Sequence, residues 1–135
     1  MISTLTNQGK VRFMIYEEKM TAELFIKFLK KLIKDSQRTI YLILDNLKVH
    51  RAYKVKAWAE ENEDKIKLFY LPPYCPDLNP DEYLNCDLKT NANKKSIPKN
   101  KDELKKNTIG FMRSIQKQPE RVKKYFLHES INYAA

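Results

Sequence analysis

An α/β fold, with helices on the faces of a small sheet, is what this sequence predicts, and three observations predict it. The run TIYLILDN, Thr39 to Asn46, holds five apolar residues from Ile40 to Leu44 and then a carboxylate. A run this short, rich in Ile and Leu with the β-former Tyr41 inside it, reads as a strand buried on both faces. Amphipathic helical patterns flank it and a second short apolar run follows, so helix, strand, helix and strand alternate. That order implies parallel crossovers with helices packed on the sheet. A proline-dense break, PPYCPDLNP, then closes the alternation.

The elements follow in order. ISTLT (Ile2 to Thr6) and VRFMIY (Val11 to Tyr16) flank NQGK, where Gly9 alone takes positive φ cheaply. Val11, Phe13 and Ile15 alternate with Arg12, Met14 and Tyr16, which predicts a hairpin over 1–16 with one core face. Thr21 caps a helix whose apolar set is Leu24, Phe25, Phe28, Leu29, Leu32 and Ile33, all on one face. Lys30, Lys31 and Lys34 suit the negative end of its dipole. After the strand at Ile40, a helix is expected from about His50 to Asn62, with Ala52, Val55, Trp58 and Ala59 inward, and then a strand from Ile66 to Leu71. Prolines bar helix and sheet centre in the next stretch, and a new helix is expected from Asn79 to Lys89. A lysine-rich loop follows to Lys101, and two helices, about Asp102 to Lys117 and Pro119 to Leu127, end the chain. Leu104, Ile109, Met112 and Ile115 form the apolar stripe of the first, and Val122, Tyr125 and Phe126 that of the second.

Composition narrows the function. The 135 residues suit one domain, and 26 Lys plus Arg against 17 Asp plus Glu give a formal charge of +9. Such a balance favours a polyanionic partner, most often nucleic acid. No apolar run approaches the ~20 residues that span a bilayer, so a membrane partner is not expected. Cys75 and Cys86, even with the distant His50 and His128, do not form a four-ligand zinc site, and they read as reduced thiols of an intracellular protein. With two glycines in all, no phosphate-cradling glycine loop exists and no small-molecule substrate is expected.

Two stretches carry chemistry. Asp45 falls where its strand leaves the sheet, and in open α/β sheets ligands bind beyond the carboxyl ends of strands. The plainer alternative is an Asp that opens a turn. In LPPYCPDLNPDE, Asn79 is a good N-cap, Pro80 a good first helical residue, and Glu82 sits three after the cap. Glu82 is therefore either a capping-box residue or a second functional carboxylate. Between Asp45 and Glu82 lie 36 residues, room for one helix and one strand.

LILDNLKVH (Leu42 to His50), LPPYCPDLNPDE (Leu71 to Glu82), the following DLK (Asp87 to Lys89) and the preceding TAELFIKFLKKL together resemble the catalytic domain of mariner-like insertion-sequence transposases. These are DDE endonucleases with an RNase H-like fold, a mixed sheet flanked by helices. The resemblance implies that three carboxylates hold two Mg²⁺ or Mn²⁺ ions, which suit hard oxygen ligands and in-line attack on a phosphodiester. It makes Asp45 the second acid and Glu82 the third, within a core spanning 21–90, and it makes Asn46, His50 and Asn79 site-shaping residues. His50 read by itself is equally a helix-start residue. Lys89, Lys94, Lys95, Lys99, Lys101, Lys105 and Lys106, across the basic loop and helices of 91–135, would contact DNA phosphates, unless they are simply a solvated face.

One acid is missing. The acids before Asp45 are Glu17, Glu18, Glu23 and Asp35, and none lies in an apolar run. The family's first Asp sits on a central strand upstream of the hairpin, so the expectation is a partial core, 1–135, lacking its first strand. Complete, such a core cuts and joins DNA at transposon ends and target. The alternative is a non-catalytic remnant that binds DNA, a second copy or a full-length transposase. Either would be cytoplasmic and associated with chromosomal DNA.

Overall fold

The computed structural model describes all residues, 1–135, and they form two compact units: Tyr16–Pro76, and Met1–Ile15 with Asp77–Ala135. The class is mixed α/β, as expected, and no helix is long and apolar enough to cross a membrane.

In Tyr16–Pro76, helix α1 (Ala22–Lys34) starts at Thr21, whose Oγ1 accepts the Leu24 amide at 3.2 Å. Its inner face buries Phe25, Phe28, Leu29 and Leu32. Each such side chain stabilises the fold by about 1.5–3 kcal/mol on leaving water. Strands β3 (Ile40–Leu44) and β4 (Ile66–Tyr70) pair in parallel, Ile40 opposite Ile66 and Leu44 opposite Tyr70. The crossover runs through a 3-10 turn, Lys48–Arg51, and helix α2 (Tyr53–Glu61), which packs on α1 and β4. Ala52 is extended (φ −58°, ψ 143°), so the turn and α2 do not fuse into the single helix from His50 that the sequence suggests. Val55 is fully buried, while Ala52, Trp58 and Ala59 are half-buried.

The expectation of a central strand buried on both faces is corrected. Leu44 is buried and Ile40 and Leu42 half-buried, but Tyr41 is 65% and Ile43 44% exposed. Alternate side chains point to opposite faces, and the helices of this unit cover one of them. On the open face Tyr41 and Phe69 stack with ring centroids 6.1 Å apart.

In the other unit, β1 (Ile2–Leu5) and β2 (Val11–Met14) form the antiparallel hairpin, with Leu5 opposite Val11. Gly9 closes its turn at φ +90°, donating its amide to the Thr6 carbonyl at 2.9 Å. The strand ends at Met14, which is buried although the alternation places it outward; Phe13 is only half-buried. Helices α3 (Pro80–Asn91), α4 (Lys101–Gln116) and α5 (Pro119–Tyr125) follow, then a 3-10 segment, Glu129–Ala134. Val11, Leu84, Met112, Ile115, Val122, Tyr125, Phe126 and Ile131 make the core. Leu104, expected in the apolar stripe, is 46% exposed because it lies in the first turn of α4, ahead of the stretch that meets this core. Hydrogen bonds join the strands into two separate sheets, β1–β2 and β3–β4.

Candidate active site

At the end of β3 the chain turns sharply. Asp45 Oδ1 accepts the Leu47 amide at 3.4 Å, and the His50 amide donates to the Leu47 carbonyl at 3.0 Å. This local fold brings the His50 ring back onto Asp45, with Nδ1 2.7 Å from Oδ1. The ring is buried and lies 4.5 Å, centroid to centroid, from Phe25 of α1. A proton on Nδ1 is thus donated to the carboxylate, and the packed ring cannot turn away. The His50 hydrogen bond holds the Asp45 carboxyl below its usual range, outweighing the partial burial that pushes it up.

The turn is tied at two more points. Tyr70, the last residue of β4, donates its hydroxyl to the His50 carbonyl at 2.8 Å. Arg51 lies over the Tyr70 ring, 4.4 Å from its centroid, and its Nε donates to Asn46 Oδ1. Asn46 and His50 therefore both belong to the frame around Asp45. Arg51 and Tyr70 escaped the sequence reading, since nothing in the order of residues signals that the turn brings them together.

In the other unit, Asn79 caps α3 by accepting the Asp81 amide at 3.1 Å, with Pro80 in the first turn. Ser3 of β1 donates to Asp81 Oδ1 at 2.6 Å, which anchors this end of the helix to the hairpin. Glu82 donates its amide to the Asn79 carbonyl at 3.0 Å, but its exposed carboxylate has no partner. The capping-box reading of Glu82 is not realised. On α4, Asn100 Oδ1 accepts the Glu103 amide at 2.9 Å and Glu103 reaches back to the Lys99 amide at 2.7 Å, one residue ahead of the cap.

Asp87, one and a half turns after Glu82, is the hub of this unit. Arg121 donates to both of its oxygens, from Nε at 2.9 Å and from a terminal nitrogen at 2.5 Å. Tyr125 and Asn91 also donate to it. Burial pushes the Asp87 carboxyl up, but these hydrogen bonds together hold it below its usual range. Burial and the same hydrogen bond raise the Tyr125 phenol. A second fixture joins the chain's end to the start of α3. Ser130 Oγ donates to the Asp77 carbonyl at 2.9 Å, Tyr133 donates to the Leu78 carbonyl, and the His128 ring stacks on Tyr83 with centroids 3.8 Å apart.

Lys89, Lys94, Lys95, Lys99, Lys101, Lys105 and Lys106 are all exposed on this unit. Asn107 donates to Asn93 at 2.9 Å, which pins the basic loop to α4.

Asp45 and Glu82 are hard oxygen donors suited to Mg²⁺ or Mn²⁺. No cluster of three or more His, Cys, Asp or Glu side chains that could hold a metal ion is present.

Residues 1–105 match the DDE superfamily endonucleases, and the chain belongs to that family. It is also similar to the uncharacterised 39 kDa protein of insertion element IS630 from Shigella sonnei, 38% identical over 73 residues. That match covers 53% of this chain and 21% of the relative, so the chain spans a minor part of that protein's length. The insertion-sequence resemblance of the motifs stands with these findings.

Proposed function

We infer that this chain is part of the catalytic core of a DDE transposase, with Asp45 and Glu82 as its second and third metal-binding acids. The observation that carries the reading is the Asp45–His50 pair in a member of this endonuclease family: a carboxylate at a strand end, oriented by a buried ring and leaving its second oxygen uncommitted to that ring. Glu82 supports it by standing at a helix start with an unpartnered carboxylate. Asn46, His50 and Asn79 shape the site. With Mg²⁺ or Mn²⁺ bound, such acids promote in-line attack on a DNA phosphodiester by water or a 3′-hydroxyl. Among the acids ahead of Asp45, Glu17, Glu18, Glu23 and Asp35 all lie outside strands, and Glu23 is paired with Lys54. The lysines from Lys89 to Lys106 hold DNA by its phosphates without reading bases. The substrate is DNA at transposon ends and target, the setting is the cytoplasm and its chromosomal DNA, and the other partner is a second copy or a full-length transposase.

A second reading, a non-catalytic remnant that binds DNA or associates with an intact transposase, is favoured by one observation, the exposed lysines from Lys89 to Lys106, which need no metal to meet phosphates. Nicking of supercoiled DNA in Mn²⁺ by the purified chain tests for a complete site. No cleavage is expected. Robust cleavage that disappears in Asp45→Ala would mean that an acid within the chain completes the site.

A further inference from the structure

A groove of about 630 Å³ lies in the unit Tyr16–Pro76, at the end of β3 opposite Asp45. Lys30 and Lys34 line it from the last turns of α1, Arg38 from the link to β3, and Lys65 from the start of β4, with Asp64 as the one carboxylate on its wall. Four cations against one anion leave a local charge of +3. The negative end of α1 offsets only about half a charge of this. These four cations have no ion-pair partner, whereas Lys54, Arg121 and Lys123 elsewhere each hold a carboxylate. The Arg38 backbone is fixed: its amide donates to Ser36 Oγ at 3.3 Å, and Ser36 Oγ donates to the Arg38 carbonyl at 2.7 Å. Thr39 donates to the Asp64 carbonyl at 2.9 Å, which sets the far wall against the near one.

Unpaired, same-sign side chains converging on a fixed concave surface repel each other and favour an anion between them. In a chain of net charge +9 that belongs to an endonuclease family, the anion of matching chemistry is the nucleic-acid backbone. We propose that the groove lined by Lys30, Lys34, Arg38 and Lys65 is a second DNA-contact surface, which holds duplex phosphates away from the reacting bond. Strand β3 separates it from Asp45 by five residues, about 17 Å at the usual rise of an extended chain. It binds flanking DNA and reads no base, since nothing in its wall but charge and backbone selects a ligand. The proposal rests on DNA being the partner, but not on the lysines of Lys89 to Lys106.

The test is duplex binding by the full chain, measured by fluorescence anisotropy across a salt series with two unrelated sequences. The variant carries Lys30→Gln, Lys34→Gln, Arg38→Gln and Lys65→Gln. A control carries Lys10→Gln, Lys56→Gln, Lys117→Gln and Lys124→Gln, which removes the same charge elsewhere. Circular dichroism verifies the fold of each. The expected result is a salt slope shallower by about 2–4 in the groove variant, at roughly 0.9 for each phosphate no longer neutralised. Affinity should fall equally for both sequences, and the control should keep the parent slope. Asp64→Asn alone should tighten binding. An unchanged slope in the groove variant would overturn the proposal, as would an equal loss in the control or no gain in Asp64→Asn. If the groove variant binds as the parent does while a variant of Lys89 to Lys106 loses binding, the groove is wrong and the DNA reading stands. A parent chain with no salt-dependent binding at all sinks both.

Discussion

The Nδ1 atom of His50 stands 2.7 Å from Oδ1 of Asp45, on a ring packed against Phe25. The pairing depresses the Asp45 carboxyl, so the folded value lies below the unfolded one. Its contribution to stability is present above the ordinary carboxylate range and is lost as pH falls through the folded value. His50→Phe keeps an aromatic ring against Phe25 and removes the donor. The Asp45 carboxyl should then titrate closer to the ordinary value of about 3.9, read by carbon NMR of the side chain. An unmoved titration would mean that the ring does not hold the carboxylate.

Asp87 ties α3 to α5 through Arg121 and Tyr125. Asp87→Asn leaves the guanidinium and phenol short of an ionised acceptor, and should cost about 2–3 kcal/mol in denaturant unfolding. Because the Asp87 carboxyl is held low in the fold, the difference between parent and variant should shrink as pH drops below the ordinary carboxylate range. A gap that stays constant down to strong acid would contradict the assignment.

The hydroxyls of Ser130 and Tyr133 hold the carbonyls of Asp77 and Leu78 just ahead of the helix that bears Glu82. Tyr133→Phe and Ser130→Ala each remove one neutral hydrogen bond, worth about 1 kcal/mol. Hydrogen exchange should quicken several-fold at the amides of Asp81 and Glu82 and stay as in the parent around Val55. Equal exchange in parent and variants would free the start of α3 from the chain's end.

Gly9 needs its missing side chain. At φ +90°, an added Cβ would lie 2.4 Å from the Pro119 carbonyl oxygen and 2.7 Å from its Cα. Both obstacles are rigid, so Gly9→Ala should destabilise the fold by about 2 kcal/mol or more, measured by urea unfolding. A neutral result would mean that the hairpin turn and the start of α5 are not in contact.

What the sequence disclosed and what it hid have physical reasons. The α1 face was legible because Phe25, Phe28, Leu29 and Leu32 repeat at helical spacing and one face of the helix meets the core. The crossover from β3 to β4 was legible from element order alone. Double-sided burial of β3 was misread because an unbroken apolar run describes what a strand could bury, while Tyr41 and Ile43 remain exposed. The motif residues Asp45 and Glu82 stood out by their neighbours, yet the 3-10 turn that swings His50 onto Asp45 depends on one extended residue, Leu47, whose carbonyl accepts the His50 amide. The Asp87–Arg121 pair joins residues 34 apart in sequence, a separation over which no local pattern speaks.

Under the proposed function Asp45 and Glu82 are metal-binding acids, and Mn²⁺ titration of the chain with carbon-labelled carboxyl groups asks this directly. The signals of both should broaden at low Mn²⁺ concentration, ahead of the other acids. If the two respond no earlier than Glu60 or Asp102, they are not metal-binding acids.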